Sequence, residues 1–341
     1  MNAVITFEGK DFHTAPGETV LDCLEREGQK IPASCRGGVC QSCIMRVTQG
    51  PIPPKSQDGL SDALKGQNHF LSCIACPQES LTCERAHVVE FQGKVSIEAI
   101  ERLSNDVVAV RFSRPSGFRF SPGQFVTLER GDKLARSYSI ASREDELSHI
   151  DIHVQRVPEG RMSTWFHTEA KPGDALQMEG AKGSCIHTGA IHEHLLLAGT
   201  GTGLAPLYCI AESALRRGHE GSITLMHGAV SQDRLYFTDE CQQLATKYPN
   251  FTYEQCVLKG EPATGVIVGN LKEALIAKTQ TIKSPRVFLC GDPNLVGEIK
   301  RELFLSGLSL RRIHVDPFIG TNIRADPIEI QKTPVAYPTS V

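Results

Sequence analysis

The sequence predicts a multidomain α+β and α/β chain of three consecutive units: a small α+β unit, an antiparallel β-barrel, and a parallel α/β sheet with helices on both faces. Three observations carry this. Residues 1–88 place short strands around one helical segment and a tight cysteine loop. Residues 89–191 switch to period-two alternation with turn signals between runs, and after His192 apolar strands alternate with helical runs. At 341 residues, 40% hydrophobic and 22% charged, the chain can bury several cores and has an ordinary globular composition. Its net charge of -3 argues against nucleic acid as a partner.

In the first unit, strands are expected at 4–7 and 43–47, with a helix near 20–26 that Gly28 ends. The loop between helix and second strand holds Ser34-Cys35-Arg36-Gly37-Gly38-Val39-Cys40, and Phe70-Leu71-Ser72-Cys73 follows after the break at Pro51-Ile52-Pro53-Pro54. Cys35, Cys40, Cys43 and Cys73 thus have the spacing C-x4-C-x2-C-x29-C, the ligand pattern of a plant-type 2Fe-2S cluster. Three thiolates on one loop can surround two irons only if the backbone curls with its N–H groups inward, a path that Gly37 and Gly38 permit. Cys40-x2-Cys43 with Cys73-x2-Cys76 also reads as the paired knuckles of a zinc or single-iron site. That reading leaves Cys35 and the glycines without a purpose, whereas the cluster leaves over only Cys76 and Cys83 in this unit's loop and strand.

In the second unit, Val108, Val110 and Phe112 alternate with other residues, as do Ile150, Ile152 and Val154, and turns fall at Pro122-Gly123 and Pro172-Gly173-Asp174. Arg136-Ser137-Tyr138-Ser139 falls on a strand, and Gly160-Arg161-Met162-Ser163 opens a helix near 162–169. A tyrosine and serine on one strand can lie against a flavin ring, while Arg136 and the N–H groups near Ser163 suit a pyrophosphate.

In the third unit, strands are expected at 195–198, 222–228, 251–258, 286–290 and 312–315, with helices from Leu204, from Leu235, at 271–278 and at 294–305. Gly199-Thr200-Gly201-Thr202-Gly203-Leu204-Ala205-Pro206 joins the first strand to the first helix, where a glycine turn lets a dinucleotide pyrophosphate reach helix N–H groups. The turn lacks the Gly-Lys-Ser/Thr of a P-loop, and the glycines give residues 195–211 the pattern of strand, turn and helix rather than a membrane span. Residues 319–341, with Pro327, Pro334 and Pro338, form a tail without periodicity. His187, His192 and His194 fall at the junction of the second and third units and are read as a linker without function.

These motifs resemble the ferredoxin–NADP reductase superfamily. The resemblance rests on Pro122-Gly123-Gln124-Phe125 with Arg136-Ser137-Tyr138-Ser139, on the glycine turn with Pro206, and on Cys290-Gly291-Asp292-Pro293. It implies a β-grasp-like ferredoxin domain (1–88), an FAD-binding β-barrel (89–191) and an NAD(P)H-binding α/β domain (192–318). It further implies FAD contacts, in preference to FMN, for Arg136, Ser137, Tyr138 and Ser139, with Gly160 and Ser163 at the pyrophosphate. Gly199, Thr200, Gly201, Thr202, Gly203, Pro206, Gly291 and Asp292 fall to the nicotinamide nucleotide, and Cys290 to hydride-transfer geometry. Phe318, in the looser Asp316-Pro317-Phe318, falls to the flavin face.

The order of units resembles the reductase components of multicomponent oxygenases, such as those of benzoate dioxygenase, phenol hydroxylase and methane monooxygenase. The implied activity passes electrons from NAD(P)H through FAD and the 2Fe-2S cluster to a separate terminal oxygenase or hydroxylase. The same order occurs in iron–sulfur flavin reductases of deoxysugar synthesis. A quinone-reductase subunit would need an N-terminal anchor that residues 1–10 do not supply, and a redox sensor would not need the glycine turn. The end of the second strand, Gly228-Ala229-Val230-Ser231-Gln232, offers neither an acid for a ribose 2′-hydroxyl nor an immediate arginine for a 2′-phosphate. NADH is the expectation, with NADPH kept open by Arg234. Twelve cysteines and no secretory pattern at the N-terminus give a cytoplasmic expectation.

Overall fold

The computed structural model describes residues 3–33, 36–38, 41–60, 62–86, 91–261 and 263–319. The tail beyond Ile319 lies outside them.

The N-terminal unit comprises β1 (Val4–Phe7), β2 (Lys10–His13), α1 (Val20–Arg26), β3 (Ile44–Gln49), α2 (Asp62–Gly66), β4 (His69–Leu71) and β5 (Leu81–Arg85). Its sheet runs β2-β1-β5-β3-β4, with β1 and β5 parallel and the other pairs antiparallel. Helix α1 begins where the Thr19 hydroxyl accepts from Asp22 N–H, and the chain leaves it through Gly28 at φ +78°. The face Val20, Leu21, Cys23 and Leu24 is buried against Ile5, Phe7, Met45 and Phe70.

The middle unit comprises β6 (Phe91–Arg102), β7 (Val107–Ser113), β8 (Phe125–Glu129), β9 (Ala135–Ser139), β10 (His149–Gln155), α3 (Arg161–Thr168) and β11 (Ala175–Lys182). The order is β10-β7-β6-β11-β8-β9, antiparallel throughout, and an Ile140–Ile152 bridge curls the sheet back towards β10. Val108, Val110, Phe112, Ile150, Ile152 and Val154 point inward, and α3 plugs the curl with Met162 and Phe166. The alternation that buries these residues turns Asp151, His153 and Gln155 to the opposite face of β10.

The last unit comprises β12 (Leu195–Thr200), α4 (Leu204–Arg216), β13 (Ile223–Ala229), α5 (Thr238–Lys247), β14 (Phe251–Val257), β15 (Val266–Val268), α6 (Leu271–Thr281), β16 (Arg286–Gly291), α7 (Pro293–Leu305) and β17 (Ile313–Pro317). All strands are parallel in the order β15-β14-β13-β12-β16-β17, with apolar clusters on both faces. The order reverses at β12, so the cleft at the carboxyl ends of β12, β13 and β16 is the switch point where such sheets bind ligands. Helix α5 starts three residues later than the sequence pattern suggests, because Tyr236 is buried in the core and Phe237 adopts a left-handed φ of +59°. Among the described residues no helix is long and apolar enough to cross a membrane.

Candidate functional site

Two places concentrate the motif residues. The first is the cysteine loop of the N-terminal unit. Both the N–H and the hydroxyl of Ser72 donate to Cys43 O, at 3.1 and 2.8 Å, which sets buried Cys73 beside buried Cys43. A Cβ on Gly38, at φ +77°, would stand 2.7 Å from Ile74 Cδ1, so the glycine loop lies directly on the turn that carries Cys73. The left-handed φ of Gly38 favours glycine there, and a side chain would have to displace the end of Ile74. Cys35 and Cys40 lie outside the described residues. Cys76 is exposed, with its thiol donating to Gly17 O at 3.6 Å, while Cys83 is a core residue whose thiol burial pushes up to about 12. Buried Cys43 and Cys73, two members of the C-x4-C-x2-C-x29-C sequence pattern, supply thiols of the kind suited to a 2Fe-2S cluster.

The second place is a cleft of about 1370 Å³ between the barrel and the parallel sheet. That exceeds the roughly 300–1,000 Å³ of a site for one small ligand and suits two dinucleotides meeting. Arg136, Ser137, Tyr138, Ser139, Gly160, Ser163, Thr200, Gly201, Thr202, Gly291, Asp292 and Phe318 all line it. Tyr138 stands edge-on to Phe166 of α3 at 5.7 Å, and burial raises the pKa of its hydroxyl. Burial likewise lowers the pKa of Arg136, a cation set where an anion would be well received. At the start of α3, a Cβ on Gly160 would meet Ser163 Oγ at 2.5 Å, and Ser163 Oγ accepts from Val157 N–H while donating to Gly160 O.

Gly199, Gly203, Pro206 and Cys290 do not line the cleft; the two glycines pack against the backbone of Cys290. A Cβ on Gly203 would fall 2.5 Å from Cys290 O and one on Gly199 3.0 Å from Gly203 O, so the turn fits only without side chains. Cys290 is 1% exposed, its sulfur 3.9 Å from that of Cys185. Asp292 caps α7 through Leu295 N–H and is itself fixed by Thr200, whose hydroxyl accepts from Asp292 N–H at 3.1 Å.

Several cleft residues have no assigned role in the sequence, and Asp316 enters there only within the loose Asp316-Pro317-Phe318 stretch. Asp316 accepts a 3.0 Å hydrogen bond from Ser139 Oγ, and burial, outweighing that bond, pushes its carboxyl up to about 7. His153 bonds Tyr236 OH at 3.1 Å across the two units, and burial holds its imidazole down at about 4. Asp106 and Gln155 join each other at 3.0 Å. The only sequence signal for His153 and Gln155 is their place on the off-core face of an alternating strand. The three junction histidines diverge: His187 meets His219 and Phe288, His192 pairs with Glu220, and His194 bonds Ser222.

The two places are connected. Ser42, next to Cys43, shares a buried 3.2 Å hydrogen bond with Thr127 of β8, and Thr127 shares another of 3.2 Å with Ser137 of β9 in the cleft wall. Three hydroxyls therefore span from the cysteine loop to a strand of the cleft wall. The barrel and the parallel sheet are clamped by Ser213, Arg216 and Arg217 of α4 and its end to Glu144 and Asp145.

Comparison with known proteins agrees with this division. The 2Fe-2S iron-sulfur cluster binding domain matches residues 5–78, the oxidoreductase FAD-binding domain residues 94–187, and the oxidoreductase NAD-binding domain residues 197–301. A ferredoxin–NAD(P)(+) reductase component of the naphthalene 1,2-dioxygenase system of Pseudomonas putida is 28% identical over 89% of this chain and 94% of its own length. The propane 2-monooxygenase reductase component of Rhodococcus jostii is 27% identical over 92% and 90%. A cytochrome P450 reductase structure from Amycolatopsis superposes with a TM-score of 0.68 at 26% identity, covering 94% of this chain and 99% of that one. The chain belongs to the NAD(P)H-dependent iron–sulfur flavoprotein reductases of the ferredoxin–NADP reductase superfamily. It is an oxidoreductase that uses FAD, a 2Fe-2S cluster and a nicotinamide nucleotide.

Proposed function

We propose that the chain is the cytoplasmic, NADH-dependent reductase component of an oxygenase or hydroxylase system, delivering single electrons to a separate terminal protein. The observation that carries this is the continuity of the two sites through Ser42, Thr127 and Ser137. When bound, the nicotinamide supplies a hydride, the flavin converts paired to single electrons and the cluster accepts them one at a time.

The chain's own residues provide position and electrostatics. Tyr138 and Ser139 would lie along the flavin ring, Arg136 and the N–H groups after Gly160 would hold its pyrophosphate, and Phe318 would cover the remaining face. The turn Gly199–Gly203 and the capped start of α7 would seat the nicotinamide nucleotide, with Cys290 beneath its reactive end. Asp316 and Ser139 can hold a proton next to the ring, since the carboxyl is near half-protonated at neutral pH. Cys35, Cys40, Cys43 and Cys73 would ligate the cluster.

Substitution Cys43→Ser tests the reading. NADH-driven reduction of cytochrome c should be lost while ferricyanide reduction largely persists, because the flavin serves the small acceptor directly. Equal loss of both in folded, flavin-loaded protein would overturn the path.

A further inference from the structure

Coenzyme choice in parallel sheets of this kind is made just after the second strand, where a ribose 2′-hydroxyl or a 2′-phosphate is read. Here that segment follows β13, and Arg234 is the one basic residue that the nucleotide-binding unit contributes to the cleft lining among the described residues. It is not free. Its Nη1 donates to Asp106 Oδ2 at 3.2 Å, and its Nε lies 3.9 Å from Asp233 Oδ2. Asp106 belongs to the barrel, in the turn before β7, and reaches across the cleft.

Asp106 is built to stay charged and in place. Ser104 Oγ donates to its Oδ1 at 3.0 Å and Gln155 Nε2 to its Oδ2 at 3.0 Å. Burial opposes its charge, yet the bonds from Gln155 and Ser104, with Arg234, hold its pKa below the ordinary value. Gln155 in turn abuts the glycine turn, since a Cβ on Gly201 would meet its Oε1 at 2.7 Å. The carboxylate is therefore fixed beside the pyrophosphate turn as well as on the arginine.

The ion pair alone decides little. Arg234 is 57% exposed, and exposed pairs contribute weakly. What decides is the local sum: one guanidinium stands between two carboxylates, so a 2′-phosphate of about −1.5 to −2 would enter a neighbourhood already negative. A 2′-hydroxyl meets no such opposition and finds carboxylate acceptors nearby. Lys259, whose N–H donates to Val230 O at 2.9 Å, does not line the cleft.

We propose that Asp106, reaching over from the flavin barrel, is the specificity-determining residue that occupies Arg234 and so selects the coenzyme lacking a 2′-phosphate. This rests on the NADH reading above and deepens it. The determinant lies in the flavin unit rather than in the nucleotide unit.

The test is calorimetric titration of the oxidised, flavin-loaded full chain with 5′-AMP and 2′,5′-ADP. The parent protein should bind 2′,5′-ADP no better than 5′-AMP. In Asp106→Asn, which keeps the side chain's shape, 2′,5′-ADP should bind about tenfold more tightly relative to 5′-AMP, the order of one charge-assisted hydrogen bond. Adding Arg234→Ala should remove that gain, and adding Lys259→Ala should not. A parent protein that already prefers 2′,5′-ADP would sink the NADH reading itself. An unchanged ratio in Asp106→Asn, or a gain that survives Arg234→Ala, would overturn the Asp106 assignment while leaving the NADH reading intact. Should Asp106→Asn load flavin poorly, Asp106→Ser carries the same expectation.

Discussion

Asp316→Asn should make the protein more resistant to unfolding above neutral pH and change it much less under acid conditions. The side chain is 7% exposed, accepts from Ser139 Oγ, and has its pKa raised by burial from 3.8 to about 7. Below pH 3.8 folded and unfolded chains both hold the proton. Between that value and about 7 the unfolded chain releases it while the folded chain retains it, so stability falls as pH rises. Integrated to pH 8, the loss is about 4 kcal/mol, against roughly 1.5 kcal/mol already lost at pH 5. Asparagine cannot ionise and can still accept from Ser139. The stability difference between variant and parent should therefore shift in favour of the variant by about 3 kcal/mol from pH 5 to pH 8. Trp165, the single tryptophan, sits in α3 against Phe166 with ring centroids 5.0 Å apart, so its fluorescence reports loss of the barrel surface that covers Asp316. Urea unfolding of the full chain at the two pH values supplies the numbers. A difference that does not vary with pH would refute the buried neutral carboxyl.

Thr127→Val removes the middle hydroxyl of the chain from Ser42 to Ser137 and leaves buried Ser42 and half-buried Ser137 short of a partner, a cost of about 1–3 kcal/mol. Stopped-flow should show slower cluster reduction with flavin reduction by NADH unaltered, Thr127→Ser restoring the rate; equal slowing of both steps would count against the bridge. Tyr138→Ala takes a half-buried ring off Phe166 and the cleft wall, and flavin content on purification should fall; full retention of flavin at parental affinity would remove the assignment. Gly203→Ala forces a Cβ to within 2.5 Å of Cys290 O, so KM for NADH should rise while bound flavin is retained. An unchanged KM would detach the turn from the nucleotide.

What the sequence disclosed was what is local. The strand-turn-helix at Gly199–Gly203 and the alternation of Val108, Val110 and Phe112 are each written within a few residues, and each reappears in the fold; of the four spaced cysteines the described residues include Cys43 and Cys73. What it concealed comes from partners far apart in the chain. Ser42 and Thr127 are 85 positions apart, and Asp106 and Arg234 are 128 apart; nothing near either residue announces the other. The late start of α5 has a similar origin: Leu235-Tyr236-Phe237 has the apolar content of a helix, but burial of the Tyr236 ring beside His153 and His227 decides the backbone there.

Paired electrons from a nicotinamide should become single electrons at two irons within this one polypeptide. Anaerobic titration with NADH, followed together by absorption and electron paramagnetic resonance, tests it most directly. The flavin absorbance should bleach and a reduced 2Fe-2S signal should grow, both complete near roughly one and a half equivalents of NADH per chain, two electrons for the flavin and one for the cluster. Bleaching that ends at one equivalent with no iron signal, in protein carrying its full iron and sulfide, would contradict the account.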